Sequence, residues 1–211
     1  MHDLVIFDCD GVLVDSEVIS NQVVADNLAR YGLTLSLHDC MALFVGGTMA
    51  AVRDKVIALG AAVPGDWVDE IYAETYARLK AGVPLVDGIP ALLKALDAAA
   101  IPCCVASNGS PDKMRITLGQ NGLWDRFSDA MFSAHVLGTA KPDPKMFQMA
   151  AARFGASSAV VIEDSHSGVS AAMRAGMRCL AYAPHGGGEK LADLGAEIFT
   201  DMSDVPALLG I

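Results

Sequence analysis

The sequence contains no apolar run long enough to cross a membrane. Such a helix needs roughly 18 to 20 predominantly apolar, uncharged residues, and no segment of the 211 residues approaches that length. The N-terminus also lacks a basic segment followed by a long apolar stretch and a small-residue cleavage site. We therefore expect no membrane partner, no secretion and a cytoplasmic location.

Basic residues are scarce as well. Lys and Arg total 15 against 25 Asp and Glu, which gives a formal net charge of −10 at pH 7. Binding to nucleic acid requires a basic surface, so we expect no nucleic-acid partner. A small phosphate ester is not excluded, because a metal ion and one or two lysines can offset the negative charge locally.

Paired cysteines and several well-known fingerprints are missing. The five cysteines, at positions 9, 40, 103, 104 and 179, form an odd set without metal-type spacing, which predicts reduced thiols. The "HGGG" segment at His185 is not accompanied by a G-x-S-x-G motif, so an esterase is not indicated. Neither a P-loop nor a dinucleotide-binding glycine pattern occurs.

Short apolar runs alternate with amphipathic stretches, and 53% of the residues are hydrophobic. Most of these runs are continuously apolar, as expected for parallel strands covered on both faces. This pattern predicts an α/β fold with an open, doubly wound (Rossmann-like) parallel sheet. The strand candidates are Leu4–Phe7, Pro102–Ala106, Ala130–Phe132, Ala159–Ile162, Cys179–Ala183 and Ile198–Phe199.

Helix boundaries are marked by proline and glycine. Ser110 followed by Pro111 predicts a helix start, and Gly122 predicts its end. Asp143-Pro144 and Gly155 bound a second helix in the same way, and Gly88-Ile89-Pro90 begins a third. These helices connect successive strands, as a doubly wound sheet requires.

The segment from 16 to 80 departs from this alternation. It contains helical patterns only, at Val18–Tyr31, Leu37–Phe44, Thr48–Leu59 and Asp66–Leu79. An insert directly after the first strand would lie over the carboxyl end of that strand, where open α/β sheets bind ligands. We therefore predict a helical cap at 16–80 and a discontinuous α/β core formed by 1–15 and 81–211.

Two aspartates, Asp8 and Asp10, follow the first apolar run in "LVIFDCDGVLVDSE". An acidic turn is the simplest interpretation; a calcium loop is disfavoured because a third oxygen ligand is missing and the segment follows a strand. A catalytic interpretation assigns Asp8 as a nucleophile that forms an aspartyl-phosphate, and Asp10 as general acid and then base. Gly11 would permit the turn and offer an N–H to phosphate. Two adjacent carboxylates need a counter-cation, which predicts Mg²⁺.

Polar residues also follow three other apolar strands. Ser107 and Asn108 could hold phosphate oxygens through a hydroxyl and backbone N–H groups. Lys141 could neutralise the nucleophile and the transferring phosphoryl group, and Glu163-Asp164 could bind the cation. Each has an ordinary alternative: a Ser-Asn-Gly turn, a solvated lysine, or an acidic first helical turn. Four such strand ends on one parallel sheet indicate a site.

Other reactive or charged residues have less specific signals. Cys9 is expected to pack as a small apolar side chain. His166 could lie at the rim of the site or on the surface. Four cations of the insert could meet a substrate carboxylate or a distal phosphate, although a solvated helix face is the expected location of each; they are Arg53, Lys55, Arg78 and Lys80.

Taken together, these residues resemble the four motifs of the haloacid dehalogenase superfamily of phosphotransferases. The resemblance spans essentially the whole chain and includes "DGVLVDSE", "KPDP" and "EDSHSGVSAAMRAGM". It implies an α/β core with a helical cap inserted after the first strand, and Mg²⁺-dependent phosphoryl transfer through Asp8. The matching residues, in chain order, are Asp8, Asp10, Gly11, Ser107, Asn108, Lys141, Glu163 and Asp164.

Within that superfamily the chain is most similar to the β-phosphoglucomutase-like group, with two departures. The mutases carry a histidine ten residues after the second aspartate, where this chain has Ser20. Their cap lysine is also missing, and Thr75 lies near its position. Both departures favour water over a sugar phosphate as the acceptor. The stretches "DSEVISN", "SNGSPDKM" and "LGQNGLWDRF" resemble bacterial sugar-phosphate phosphatases.

The sequence therefore predicts a monomeric, Mg²⁺-dependent phosphatase for small phosphorylated sugars or sugar acids. Asp8, Asp10 and Lys141 are the expected catalytic residues, and 6-phosphogluconate is the leading candidate substrate. Three alternatives remain: a sugar phosphomutase, a phosphoglycolate-type phosphatase and a non-catalytic metal-binding relative. The metal ligands expected from the motifs are Asp8, Asp10, Glu163 and Asp164.

Overall fold

A computed structural model describes residues 2–44 and 49–211. The chain forms two compact units, one built from Met1–Val14 with Pro84–Ile211 and the other from Asp15–Val83. The boundaries predicted from the sequence were after residues 15 and 80. We refer to the first as the sheet unit and to the second as the helical unit.

The sheet unit contains one six-stranded sheet in which every neighbouring pair is parallel. The predicted doubly wound α/β class is therefore confirmed. The strand order is β3-β2-β1-β4-β5-β6, so the chain winds outward from β1 in one direction and then returns to continue in the other. The strands are β1 (Leu4–Phe7), β2 (Cys103–Ser107), β3 (Met131–Ser133), β4 (Ala159–Glu163), β5 (Arg178–Tyr182) and β6 (Glu197–Phe199).

Twelve α-helices are present in the described part of the chain. The first four belong to the helical unit and the others to the sheet unit. They are α1 (Ser16–Arg30), α2 (Leu37–Phe44), α3 (Met49–Ala58), α4 (Trp67–Lys80), α5 (Ile89–Ala98), α6 (Pro111–Gln120), α7 (Trp124–Phe127), α8 (Ala134–Leu137), α9 (Lys145–Phe154), α10 (His166–Arg174), α11 (Glu189–Ala192) and α12 (Val205–Leu209). A short 3₁₀ helix covers Met202–Asp204.

The predicted helix signals are confirmed by the backbone. The Ser110 side chain accepts a hydrogen bond from the Lys113 N–H at 3.2 Å, which caps α6. Helix α9 ends at Gly155, whose φ of 64° lies in the left-handed region that glycine adopts at helix ends. Gly88, at φ 87°, precedes α5. Local sequence chemistry therefore determines where these helices begin and end.

The core of the sheet unit lies between β-strands that are buried along their whole length and the helices that cover them. All four residues of β1 and all five of β4 are buried. The side chains of Met146 and Phe147 on α9 pack in the same cluster and are fully buried. Burial on both faces explains why these strands are continuously apolar rather than alternating.

The helical unit has its own core and contains no strand in residues 15–44 and 49–83. Trp67 is fully buried, and its indole N–H donates to Asn27 Oδ1 at 2.7 Å. The apolar cluster includes Val24, Leu28, Phe44, Val52, Val56 and Ile71. The predicted third helix began at Thr48, which lies outside the described residues.

Four cations of the helical unit, Arg53, Lys55, Arg78 and Lys80, were expected on solvated helix faces. Lys55 Nζ donates to the Leu43 carbonyl at 2.9 Å, and Arg53 Nη2 reaches the Pro64 carbonyl at 3.5 Å. Arg78 and Lys80 are exposed in the last turn of α4.

The cysteines agree with the prediction of reduced thiols. All five cysteines are free, and Cys9 is fully buried with its Sγ 4.0 Å from Thr117 Oγ1. Burial raises the pKa of the Cys9 thiol well above its usual value, as expected for a packing residue. None of the helices in the described ranges is long and apolar enough to cross a membrane.

Candidate active site

The candidate site begins at the carboxyl end of β1, where the strand order reverses. Strand β1 has β2 on one side and β4 on the other, and ligands in open α/β sheets bind at such a switch point. Asp8 directly follows β1, and its N–H donates to the Ile162 carbonyl of β4 at 2.9 Å. This hydrogen bond extends the ladder by one residue and places Asp8 level with Glu163.

Gly11 forms the tight turn after the two aspartates. Its φ of 77° is in the left-handed region, which a residue with a Cβ rarely adopts. Its N–H donates to the Val14 carbonyl at 2.8 Å, so this donor is already used within the turn. The conformational role predicted for Gly11 is therefore present, but we do not assign its N–H to phosphate.

Lys141 connects two of the predicted strand ends. Its ammonium Nζ donates to Asp8 Oδ1 and to Glu163 Oε1, and all three side chains are buried. The ammonium also lies 5.3 Å from the centre of the Phe147 ring, within the range of a cation–π contact. Three groups that are far apart in sequence thus form one buried charge cluster.

Both carboxylate oxygens of Glu163 accept hydrogen bonds from protein donors. Its Oε2 accepts hydrogen bonds from Asp164 N at 3.0 Å and from Ser165 N and Ser165 Oγ, both at 2.9 Å. Its Oε1 accepts from Lys141. Glu163 therefore holds Lys141 in place, and its role as a metal ligand, either directly or through water, stays a prediction.

Gly168 makes the position of Glu163 sterically accessible. A Cβ built on Gly168 would overlap the Glu163 carboxylate, because the carboxylate lies directly against the first turn of α10. Gly168 was not among the residues predicted for the site. A signal was present in the sequence, because Gly168 lies five residues after Glu163, in the first turn of a helix. Glycine is unfavourable in a helix unless its lack of a side chain is needed.

Asn108 and Ser107 hold the loops around this cluster. The Asn108 side chain bonds the Lys141 main chain twice, accepting from its N–H at 2.9 Å and donating to its carbonyl at 3.4 Å. Ser107 Oγ is buried and accepts the Gly109 N–H at 3.0 Å. The Asn108 amide therefore positions the lysine loop. The phosphate contacts of both residues remain predictions for the Ser107 hydroxyl and the backbone N–H groups.

Asp10 contacts a second lysine that the sequence analysis did not assign to the site. Lys113 Nζ lies 2.8 Å from Asp10 Oδ1, and both side chains are largely buried. Burial alone would lower the pKa of Lys113, but the charge and the hydrogen bond of Asp10, with smaller contributions from Cys9 and Asp8, together raise the pKa above its usual value. Each of the two aspartates is thus paired with its own lysine.

The charges of the cluster act on one another. Burial raises the pKa of the Asp8 carboxyl to about 7; Lys141 opposes this shift, whereas Glu163 and Asp10 reinforce it. Burial would lower the pKa of Lys141, yet the two carboxylates in contact raise it above its usual value. The lysine is therefore charged at neutral pH, and a further cation beside Asp8 would favour the ionised carboxylate.

Oxygen donors suited to a divalent cation lie at this edge of the sheet. Asp8 and Asp164 follow the adjacent strands β1 and β4, and Asp10 is two residues further along. Mg²⁺ prefers oxygen ligands and is usually held by one or two carboxylates with water and a substrate phosphate. Within residues 2–44 and 49–211, no three His, Cys, Asp or Glu side chains form a preassembled metal cluster. The aspartates fit such a sparsely ligated ion.

The structure thus brings most of the predicted residues to one edge of the sheet unit. Asp8, Asn108, Lys141 and Glu163 are connected by direct hydrogen bonds. His166 is exposed at the start of α10.

Comparison with known proteins assigns the family. A model of haloacid dehalogenase-like hydrolases matches residues 2–176. The 6-phosphogluconate phosphatase of Escherichia coli is 30% identical over 210 residues, covering 98% of this chain and 94% of the relative. The validoxylamine A 7′-phosphate phosphatase of Streptomyces hygroscopicus subsp. limoneus is 29% identical and covers 97% and 96%, respectively.

Solved structures give the same result. A haloacid dehalogenase-like protein of Agrobacterium tumefaciens superposes with a TM-score of 0.91 at 33% identity, over 100% of this chain and 98% of that one. A hydrolase of the same family from Deinococcus radiodurans, solved with phosphate and sodium, gives 0.86 at 31% identity, over 99% and 95%. The named relatives support a phosphatase activity, and the predicted enzyme class and resemblance are confirmed. This chain belongs to the haloacid dehalogenase-like hydrolase family.

Proposed function

We propose that the protein is a Mg²⁺-dependent phosphatase that hydrolyses small phosphorylated sugars or sugar acids through an aspartyl-phosphate. One observation carries this proposal: the Asp8 carboxylate lies at the switch point of the sheet, in contact with the ammonium of Lys141 and two residues before Asp10. A nucleophile, a fixed cation and an acid/base group are the components that phosphoryl transfer requires.

In the first half of the reaction a carboxylate oxygen of Asp8 attacks phosphorus and the bond to the ester oxygen breaks. Asp10 gives its proton to the departing alkoxide, which leaves as an alcohol. Lys141 offsets negative charge on the nucleophile and on the transferring group without moving, because Glu163 and Asn108 hold it in place. The Ser107 hydroxyl and neighbouring N–H groups would receive the phosphoryl oxygens.

In the second half a water molecule attacks the phosphorus of the aspartyl-phosphate. Asp10, now ionised, takes a proton from this water, while the bond between phosphorus and the Asp8 oxygen breaks. Inorganic phosphate leaves, the Asp8 carboxylate is regenerated and Asp10 is again protonated. The two aspartates therefore return to their starting states after each turnover.

We assign the magnesium ligands to Asp8 and Asp164, with Asp10 as a further oxygen donor. A bound Mg²⁺ supplies charge neutralisation and orientation of the phosphoryl group. A bound ion would act together with Lys141 to offset the negative charge of Asp8, and would favour the ionised carboxylate although burial raises the pKa of Asp8.

Water, rather than a second sugar phosphate, is the proposed acceptor. Ser20 stands where the mutases of the family carry a histidine, and its hydroxyl donates to the Ser16 carbonyl at 2.8 Å within α1. A serine engaged with its own helix does not provide an imidazole that could assist a returning sugar hydroxyl. This favours hydrolysis over transfer back to a sugar.

The substrate class is proposed from the relatives. One acts on 6-phosphogluconate and another on validoxylamine A 7′-phosphate, at nearly equal identity to this chain. Both phosphatases align over almost the whole length of both chains. We rank 6-phosphogluconate first because the stretches "DSEVISN", "SNGSPDKM" and "LGQNGLWDRF" resemble its phosphatase in particular. Following the family resemblance, we assign substrate choice to the helical unit. We further propose a monomeric, cytoplasmic enzyme without a nucleic-acid partner, in keeping with its free cysteines and acidic composition.

The proposal is tested by measuring phosphate release from sugar phosphates, sugar-acid phosphates and phosphoglycolate, with and without Mg²⁺. We expect hydrolysis that is lost on chelation, with 6-phosphogluconate among the best substrates. Asp8→Asn should lower kcat by about 10⁴-fold or more, because the nucleophile is removed. The variant's circular dichroism should match that of the wild type.

Several outcomes would contradict this assignment. Substantial residual activity of Asp8→Asn would exclude Asp8 as the nucleophile. A lack of phosphate release from the whole panel would point to a non-catalytic relative. Faster isomerisation than hydrolysis of a sugar 1-phosphate, in the presence of a sugar bisphosphate, would indicate a mutase.

A further inference from the structure

Lys113 is an unusual residue for its position in the chain. It is the third residue of α6, and its side chain is only 18% exposed although lysine is mostly a surface residue. Its ammonium lies 2.8 Å from Asp10 Oδ1. A mostly buried cation requires a compensating charge, and Asp10 supplies it.

Local helix chemistry does not account for a lysine at this position. The helix dipole favours negative side chains in the first turn and disfavours cations there. The start of α6 is already determined by the Ser110 cap and by Pro111. Lys113 therefore lies in the first turn against the local preference, and its contact with Asp10 is the tertiary interaction that compensates.

The backbone around the pair leaves room for it. A Cβ built on Gly109 would be 3.4 Å from Asp10 Oδ2, 3.9 Å from Lys113 Cδ and 3.2 Å from Ser107 Oγ. The loop between β2 and α6 therefore passes close to the carboxylate. The Lys113 N–H is bound to Ser110 Oγ at 3.2 Å, so the backbone from which the lysine extends is fixed.

From this geometry we propose that Lys113 is a positioning residue for Asp10. It holds the Asp10 carboxyl group in the orientation from which a proton reaches the departing ester oxygen. Once Asp10 has given up its proton, Lys113 also offsets the negative charge left on that carboxylate, as Lys141 offsets the charge of Asp8. This inference rests on the acid/base role proposed for Asp10, and it adds a residue on α6 to the machinery of that site.

The inference predicts that the loss of activity caused by replacing Lys113 depends on the leaving group of the substrate. A good leaving group such as p-nitrophenolate departs with little need for a proton, whereas phenolate or a sugar alkoxide needs one. If Lys113 positions the acid, its removal must lower kcat/KM more for substrates with poor leaving groups than for substrates with good ones. The parameter to compare is kcat/KM, because it reports the steps up to departure of the leaving group and excludes later hydrolysis of the aspartyl-phosphate.

The test measures kcat/KM of Lys113→Met for a series of aryl phosphates of similar size, from p-nitrophenyl to phenyl phosphate, and for 6-phosphogluconate. Proton transfer by a positioned acid contributes about 10²–10⁴-fold. We expect a loss of about 10- to 100-fold for phenyl phosphate and the sugar acid, but less than about threefold for p-nitrophenyl phosphate. Lys113→Arg, which keeps the charge, should recover part of the loss.

Two variants serve as controls. Lys94→Met removes an exposed lysine from α5 in the same unit and should leave kcat/KM unchanged for every substrate of the series. Asp10→Asn removes the acid itself and should show the steepest dependence on the leaving group. Thermal unfolding of each variant identifies any loss of activity that results from misfolding, and Lys113→Gln replaces Lys113→Met if the latter does not fold.

The outcomes separate this inference from the proposed function. If Asp10→Asn shows the dependence and Lys113→Met shows an equal loss for every leaving group, Lys113 binds substrate or supports the fold and the inference is overturned. If the loss of kcat/KM in Asp10→Asn does not depend on the leaving group, Asp10 is not the acid, and the inference about Lys113 is overturned with that role. A dependence in both variants, with recovery by arginine, supports Lys113 as the positioning residue.

Discussion

Asp8 and Asp10 lie on the same short turn, yet their lysine partners occupy different environments. In the Asp8–Lys141 pair the side chains are 10% and 2% exposed, and Glu163, which is 0% exposed, adds a second carboxylate. In the Asp10–Lys113 pair the corresponding exposures are 22% and 18%. The first pair is thus a dry cluster of three charges, whereas the second retains some contact with water.

The difference in burial matches the difference in proposed chemistry. A nucleophile must be held at a fixed position relative to phosphorus, and a dry, hydrogen-bonded cluster provides this. A group that exchanges protons with a leaving group and with water must remain accessible to both. The two aspartates therefore share a turn but not an environment.

Removing Lys141 should have the largest effect on stability. Lys141→Met leaves Asp8 and Glu163 buried without a cation, which costs about 3–5 kcal/mol at pH 8. Burial already raises the pKa of Asp8 to about 7 in the folded state. A carboxyl group with a raised folded pKa contributes stability at low pH that is lost as the pH rises through that pKa.

The loss caused by Lys141→Met should therefore be smaller at pH 5, where the buried carboxyl groups can take up protons, than at pH 8. Urea unfolding of wild type and variant at both pH values measures this difference. Lys113→Met is the matched control from the other, less deeply buried pair, and it should cost less stability than Lys141→Met. An equal loss for Lys141→Met at both pH values, or a larger loss at pH 5, would contradict the prediction.

A methyl group at Gly168 should disturb the buried cluster without removing any of its charges. Gly168→Ala places a Cβ where the Glu163 carboxylate lies, so the carboxylate and Lys141 must move. Overpacking of this kind costs about 1–3 kcal/mol, and kcat should fall because Lys141 is displaced.

Gly119→Ala in α6 is the control for this change, because a Cβ there meets nothing within 4 Å. Alanine is a better helix former than glycine, so this variant should be neutral or stabilised by up to about 1 kcal/mol. Equal stability and equal kcat in the Gly168 and Gly119 variants would show that Glu163 adapts freely, against the role assigned to it here.

The smallest effect is expected at an ion pair outside the site. Asp97 accepts two hydrogen bonds from Arg126, at 2.9 and 2.6 Å, but its side chain is 58% exposed. Arg126 lowers the pKa of Asp97, so the stability that this pair contributes is present at neutral pH and is lost as the pH falls through the lowered pKa.

Asp97→Asn should therefore shift the urea midpoint less than either lysine variant and leave phosphatase activity unchanged. The shift should also shrink at high salt, which screens exposed charges. A shift as large as that of Lys141→Met would mean that burial does not govern the strength of these pairs.

Much of the sheet could be predicted from the sequence because its strands are covered on both faces. All six strands were predicted from continuous apolar runs, and β1 was predicted with its observed bounds. The other five strands differ by one residue at one or both ends, as for β5, predicted at 179–183 and observed at Arg178–Tyr182. Strand ends depend on hydrogen bonds to neighbouring strands, which a local pattern does not contain.

Short helices were not predicted. Helices α7, α8 and α11 each have four residues, too few to show a helical period. Such segments form because they pack against the rest of the sheet unit, as Phe127 of α7 and Leu191 of α11 do with their buried side chains. Longer helices such as α6 and α9 were predicted because their caps and glycine ends are encoded locally.

By itself, the sequence determined which residues end the strands. An apolar run followed by Asp8, and another followed by Glu163, indicated a site, because parallel strands bring their carboxyl ends to one edge. Only the tertiary structure decided how these side chains share their partners. Glu163 holds Lys141, Asn108 holds the lysine loop, and Lys113 reaches Asp10 from a helix that begins after another strand. These contacts join residues that are far apart in the chain, so a local spacing pattern in the sequence does not predict them.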